Sequence, residues 1–377
     1  MAQPVFAVQK YFRKLKDPRL DRRKLHLLLD IVVIAICGVI CGADDWQQVE
    51  TFGRNRLDWL KRFLRLPNGI PSHDTFERVF DRLDPQAFQT CFRAWMQALH
   101  EAMGLSQIAI DGKTLCGSAR GKLKGLHLVS AWATANGVSL GQVAVDAKSN
   151  EIPAIPQLLE LLDVHGALVS VDAMGCQKEI AATIVDGGGD YLLTVKNNQP
   201  TLFAEIEDSF EKALENDFAG VEHDSYQTED RGHGREEKRI YTILVDPDFP
   251  SKADWPKLRV IGMCHHECLR DGKQTLETRF FIGSRKASAR VYGKALRNHW
   301  GIENGLHWQL DVTFGEDRNR VSKRHGAENL ALVRRLTLSL LKQHPDKRSI
   351  ACKRLQAALN PAFLEEVLQI DAKPGKV

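Results

Sequence analysis

"ALVSVDAMGCQKEIAATIVDGGGDYLLTVK" occupies residues 167–196, and its reading decides the fold. "ALVSVDA" is a short apolar run rich in β-branched residues, which predicts a buried strand. "CQKEIAATIVDGG" has helical spacing and ends in glycine stops. "DYLLTVK" is a second strand. A strand–helix–strand unit of this size returns the chain to the same sheet with the two strands parallel. The first strand ends on Asp172, a charge at the tip of a buried element. A carboxylate there loses solvation unless something positive or hydrogen-bonding meets it. Two answers remain open at this point: Asp172 caps the turn and helix that follow, or it faces a cation.

Working outward, "QIAIDGKTL" (107–115), "LHLVSAWATAN" (126–136) and "GVSLGQVAVDAK" (137–148) read as three successive strands, and "IPAIPQLLELLDV" (152–164) as a helix. The order β-β-β-α-β-α-β predicts a mixed sheet with helices on its faces. Residues 1–100 have helical periodicity, with Ser72 or Asp74 as the N-cap of a helix built on Phe76, Val79, Phe80 and Leu83. Residues 201–288 open with a helix and then become β-rich. Residues 289–343 return to helix, and a tail follows over 346–377.

Composition is that of an ordinary globular chain: 377 residues, 43 % hydrophobic and 27 % charged, with a net charge of +4. So mild a positive balance permits a nucleic-acid partner without arguing for one. Eight scattered cysteines do not form a disulfide framework, and no secretory leader is apparent, so a reducing cytoplasm is expected. The apolar run "IVVIAICGVICGA" (31–43) is too short to span a bilayer and reads as a core helix containing Cys37 and Cys41. No membrane partner is expected.

Reactive groups in an α/β sheet collect where loops leave the strand ends. Asp111 follows "IAI" in the first strand and Asp172 follows "LVSV" in the fourth. Were those strands neighbours, the two carboxylates would sit side by side, an arrangement that calls for a cation between them. Oxygen ligands suit Mg²⁺ or Mn²⁺. A third acid is offered by "LRNHWGIENGLHWQLDVTFGEDRNR" (296–320). On one helix, Ile302, Leu306 and Leu310 form a buried stripe, while His299, Glu303, His307 and Asp311 line another face beside Trp300 and Trp308. That row is either an intrahelical polar ladder or the place where Glu303 completes a metal site.

"IAIDGKTLCGS", "VDAMGCQKEIA", "DYLLTVKNNQPTL", "RGHGR" and "HWGIENGLHWQLDVTFGED" resemble, in order, the motifs of bacterial insertion-sequence transposases of the DDE type. The resemblance is to the H-repeat-associated group and runs over essentially the whole chain. It implies an RNase H-like mixed sheet flanked by helices, carrying a β-rich insertion and preceded by an all-helical N-terminal domain. The implied division is an accessory domain for DNA ends over 1–100, catalytic core over 105–200, insertion over 201–288 and core helices with the third acid over 289–345. The family's acids fall on Asp111, Asp172 and Glu303, which would hold two Mg²⁺ or Mn²⁺ ions for cleavage at the element ends and strand transfer into target DNA. Double-stranded DNA is the implied partner, with a dimer or higher multimer assembled on it. One departure stands out. Related insertion-carrying members place tyrosine, arginine and lysine around the last acid, where this chain has Leu296, His299 and Leu310.

Phosphate contacts are expected from Lys113 and Lys196 just past strand ends, from Arg231 and Arg235 in "RGHGREEKR", and from Arg297, His299 and His307 around the glutamate. The basic run 318–335 adds Arg318, Arg320, Lys323 and Arg324, and the N-terminal helices offer Arg54, Arg56, Lys61, Arg62 and Arg65. "CHHEC" (264–268) has zinc-type donors, but on a strand they alternate between two faces, which disfavours a tetrahedral site. Two further functions share these features: an RNase H-like nuclease without strand transfer, and a DNA-binding protein whose catalysis has decayed or been repurposed.

Overall fold

The structure is a computed structural model that describes residues 7–101, 107–119, 124–146, 149–232 and 234–368. Nine strands are hydrogen-bonded in the order β3-β2-β1-β4-β5-β9-β8-β7-β6. Their ranges are β1 Gln107–Leu115, β2 Leu126–Ala133, β3 Val138–Ala144, β4 Leu168–Val171, β5 Asp190–Val195, β6 His223–Gly232, β7 Arg235–Val245, β8 Val260–Arg270 and β9 Lys273–Gly283. A mixed α/β chain with a large sheet is thus what folds. Its residues group into two compact units. One holds Ser106–Asp111 and Asn150–Ile302; the other holds Met1–Leu105, Gly112–Ser149 and Glu303–Val377.

In the first of these, the opening stretch of sequence forms the predicted crossover. β4 pairs parallel with β1 and with β5, and the helix Lys178–Asp186 links β4 to β5. All four residues of β4 are buried, which explains the continuous apolar run. The polar exception is Ser170, whose hydroxyl accepts from Gln107 Nε2 at 2.9 Å and meets His299 Nδ1 at 3.0 Å. The β-rich segment adds its strands to the same sheet: β9 pairs antiparallel with β5, and β8, β7 and β6 follow outward. The helix Ala289–His299 then packs its Ala289, Tyr292 and Ala295 onto Leu192, Ile243, Val260 and Phe281.

The other unit is mostly helical and also holds β2 and β3. Leu28–Ile40 is buried nearly all round, as the core reading of its apolar run requires, and Cys37 lies inside it. Ser72 is the N-cap residue of His73–Phe80, although its hydroxyl meets Thr75 Oγ1 rather than a backbone amide. Trp46 stacks on Phe80 at 4.6 Å between ring centroids. The stretch expected as a tail is two helices, Ile350–Leu359 and Pro361–Leu368, and the second buries Phe363, Leu364, Val367 and Leu368. No described helix is long and apolar enough to cross a membrane.

The helix Gly326–Gln343 runs through this core and carries two arginines inward. Arg335 is wholly buried and pairs with the equally buried Glu316 at 3.1 Å. Arg334 donates to the carbonyl of Asp44 at 3.0 Å. Arg354 stacks on Phe314 at 4.3 Å and donates to the carbonyl of Val39, tying the end of Leu28–Ile40 to the C-terminal helices. His307 is half-buried in the same region, with its Nε2 shielded from solvent. Burial, reinforced by the Arg335 and Lys113 charges, pushes its imidazole down to about 3, so it is neutral at physiological pH.

Two outcomes are expected. Glu316→Ala leaves Arg335 buried without its partner, at a cost of about 3–5 kcal/mol in chemical denaturation. Removing the exposed Asp208 from its pair with Lys212 costs below about 1 kcal/mol. The unfolded chain protonates His307 first, since its pKa there is the ordinary 6.5 and the folded one is about 3. His307 therefore makes stability fall as pH drops through that window, by at most about 1.4 kcal/mol per pH unit. Urea titrations from pH 7 to 4 should show a shallower fall for His307→Gln.

Candidate active site

The register of β1 and β4 places two acids level. Ile110 faces Val171 across the parallel pair, so one step further along each strand brings Asp111 beside Asp172. Adjacent strands lie about 4.8 Å apart. Both aspartates are half-buried at the point where β4 gives way to its loop. Asp172 Oδ1 accepts the N–H of Gly175 at 3.1 Å. This cap serves the turn and not the helix, which begins only at Lys178 with Gln177 at its N-cap. The turn folds tightly over the strand end: a Cβ on Gly175 would come within 2.2 Å of Val171 Cγ1, so glycine is needed there. Asn198 and Gln199 hold the loop by donating to the carbonyls of Ala173 and Cys176 at 2.7 and 2.9 Å.

Behind the pair lies a polar lattice of Gln107, Ser170 and His299. Gln107 Nε2 donates both to Ser170 and to the carbonyl of Ala295 at 2.8 Å. Burial lowers the pKa of His299, and the nearby negative charge of Asp172 only partly opposes it. His299 therefore faces inward as a neutral ring, where its sequence context suggested a phosphate contact. Arg297 is half-exposed, 3.4 Å from Asp230 Oδ2. Leu296 packs against the core of this unit.

In the other unit, Glu303 stands exposed on a π-helical turn, Glu303–His307, which continues as Trp308–Val312. The sequence predicted one unbroken α-helix. Ile302, Leu306 and Leu310 are buried as expected, but the polar ladder does not form. His299 turns to Ser170, His307 is half-buried, and Asp311 pairs with Lys113. π-Turns are rare and recur at functional sites because they redirect the side chains that they carry. Lys113, expected at a phosphate, is itself buried with its ammonium 2.6 Å from Asp311 Oδ1.

Other expected contacts remain at the surface. Lys196, Arg318, Arg320 and Arg324 are exposed. Arg231 and Arg235 flank the β6–β7 hairpin, each 3.6 Å from a glutamate, Glu236 and Glu237 respectively; His233 between them lies outside the described residues. Lys323 pairs with Glu77 at 2.8 Å. Arg334 and Arg335, which swelled the basic run in the sequence, belong to the core. Of the N-terminal cations, Arg54 and Arg62 pair with Glu50 and Glu365, Arg56 donates to the carbonyl of Ala358, and Lys61 and Arg65 are exposed. The "CHHEC" stretch lies in β8, where His266 sits 3.5 Å from Glu237. Gln107 and Ser170 escaped the sequence reading. Their signal was a polar residue inside an apolar strand, which is easily taken for tolerated burial.

The carboxylate oxygens of Asp111, within β1, and Asp172, just past the end of β4, are hard donors of the kind that Mg²⁺ or Mn²⁺ takes. Among the described residues, no group of three or more His, Cys, Asp or Glu side chains is close enough to hold a metal ion.

The comparisons with known proteins point one way. The model of a family described as "Transposase DDE domain" matches residues 102–340, and its companion, "DDE_Tnp_1-associated", matches residues 9–96. The chain is 42 % identical over 368 residues to the "Putative transposase YncI" of Escherichia coli O157:H7, covering 95 % of this chain and 93 % of that one. It is 38 % identical over 353 residues to the "H repeat-associated putative transposase YhhI" of Escherichia coli K12, covering 91 % and 92 %. A solved structure, a piggyBac transposase synaptic complex with hairpin DNA, aligns with a TM-score of 0.43 and 9 % identity over 96 % of this chain and 77 % of that one, too distant a likeness to bear on the fold. With a family model over most of its length and relatives of matching extent, the chain belongs to the DDE transposase family, in the group of the H repeat-associated transposases.

Proposed function

We propose that this transposase cuts DNA strands at the ends of an insertion sequence and joins the freed ends to target DNA, using Asp111, Asp172 and Glu303 as ligands for two divalent ions. The observation that carries the reading is the register of β1 and β4, which sets Asp111 and Asp172 level on neighbouring parallel strands. The strand order β3-β2-β1-β4-β5 with the β4–helix–β5 crossover supports an RNase H-like core. The exposure of Glu303 on a π-turn supports its place as the third ligand.

When bound, Mg²⁺ or Mn²⁺ activates water or a 3′-hydroxyl for in-line attack and stabilises the leaving 3′-oxygen. The protein's part is to fix the carboxylates in place. Asp172 is oriented by the Gly175 amide, which donates to its Oδ1. The Gln107–Ser170–His299 lattice braces the strand end beneath it, and a neutral His299 brings no cation to compete for the carboxylate. Lys196, Arg318, Arg320 and Arg324, with Arg231 and Arg235 at the hairpin, track the phosphate backbone of double-stranded DNA. Two element ends call for two active sites, hence a dimer or higher multimer on DNA. A reducing cytoplasm suits the eight free cysteines.

Asp111→Asn, Asp172→Asn and Glu303→Gln are each expected to lower Mg²⁺-dependent strand cleavage by about 10³-fold or more, while DNA affinity in a gel-shift assay stays within a few-fold of wild type. Near-wild-type cleavage by any one of them removes that residue from the site. Joined products in the same reaction separate a transposase from a nuclease; cleavage without joining would favour the nuclease.

A further inference from the structure

Lys113 is a lysine withdrawn from solvent two residues beyond Asp111, with a side chain 9 % exposed. Its ammonium lies 2.6 Å from Asp311 Oδ1 and 3.4 Å from Asp317 Oδ1. Asp317 Oδ1 also accepts the N–H of Cys116 at 3.2 Å. Beside this bond, a Cβ on Gly117 would come within 2.3 Å of the Asn319 carbonyl oxygen and 2.5 Å of that of Asp317, so the two backbones touch. Residues 113–117 and 311–319 are therefore laced together by charge, by a bond from the Cys116 amide to the Asp317 side chain and by backbone contact. Both carboxylates are partly open to solvent, with side chains 33 % and 37 % exposed, so the anchor draws on the buried ammonium and the backbone contact together.

The periodicities on either side are informative. Alternate residues of a strand share a face, so Lys113 lies on the Asp111 side of β1. Two α-helical turns take about 7 residues, and a π-turn adds about one. Asp311, eight positions after Glu303, therefore returns to the face of Glu303. One ion pair thus indexes a strand face to a helix face. The π-turn itself, with its looser hydrogen bonding, gains an anchor one turn downstream.

We propose that Lys113 is a positioning residue: through Asp311 and Asp317 it anchors the segment that follows Glu303 to the strand that carries Asp111, and so sets the third carboxylate for metal binding. This rests on the three acids being metal ligands, and it replaces a phosphate contact as the role of Lys113.

The test uses the full chain with Lys113→Met and, in case that variant unfolds, Asp317→Asn. Hydrogen exchange of residues 303–312 should accelerate by about tenfold or more, while β4 and β5 keep their protection. Mn²⁺ affinity, read by electron paramagnetic resonance, should weaken by about 10–100-fold. The cleavage kcat should fall with KM for DNA unchanged, and the salt dependence of DNA binding should keep its wild-type slope. Unchanged exchange over 303–312 in both variants overturns the proposal. So does a salt slope shallower by about 0.9, which marks a lost phosphate contact. If wild type binds no Mn²⁺ and cuts no DNA, the metal-site reading falls, and the anchor loses its role in metal binding, whereas the exchange result still decides whether the anchor exists.

Discussion

Everything proposed for this protein depends on the parallel pairing of two strands, β1 and β4, whose register ends with Ile110 opposite Val171. A slip of one residue would turn every side chain of β4 to the opposite face and separate the two aspartates. The register is held because all four residues of β4 are buried, and because Ser170 has its partners only in the observed alignment. The apolar run supplies the driving force, and the one polar residue within it selects the alignment.

Around that pairing, the two units differ in how they are held. The unit with β4 relies on sheet hydrogen bonds and an apolar helix face, with Tyr292 and Phe281 at its centre. The other packs long helices and inserts charged groups between them, Arg335 with Glu316 and Arg354 with Asp44. A buried pair such as Arg335–Glu316 adds little net stability over an apolar core, but it penalises any arrangement that parts it. Residues 311–319 lie among these charges, so the chain after Glu303 has few alternative placements.

Much of the sheet was legible in the sequence. Alternation and glycine stops located β1 to β5, and the crossover between β4 and β5 fixed their direction. The adjacency of Asp111 and Asp172 stayed conditional on the two strands being neighbours, and the β1–β4 pairing supplies that condition. What the sequence hid was the fate of long charged side chains. Lys113, Arg334 and Arg335 look like any surface cation in one dimension, since their partners Asp311, Asp317 and Glu316 lie far away or sit in an unremarkable acidic pair. His299 and His307 were placed on the correct segment but not in their surroundings: His299 ends the preceding helix and meets Ser170, and His307 closes a π-turn where a continuous α-helix was expected. The way β9 adds to β5 was equally invisible, because nothing in either strand names its neighbour.

That π-turn can be regarded as a stored rotation. An α-helix advances about 100° per residue, so a turn with one residue too many is what remains when an insertion is absorbed without moving the flanking helix. Leu306 within the turn and Leu310 after it are both buried in the core. The extra residue has been accommodated locally, in the aim of Glu303 to His307. Because Ile302 directly precedes Glu303 and Leu306 lies within the turn, the direction of the acid is tied to the packing of the buried stripe. A single codon gained or lost there would have to move the acid and the hydrophobic seam together.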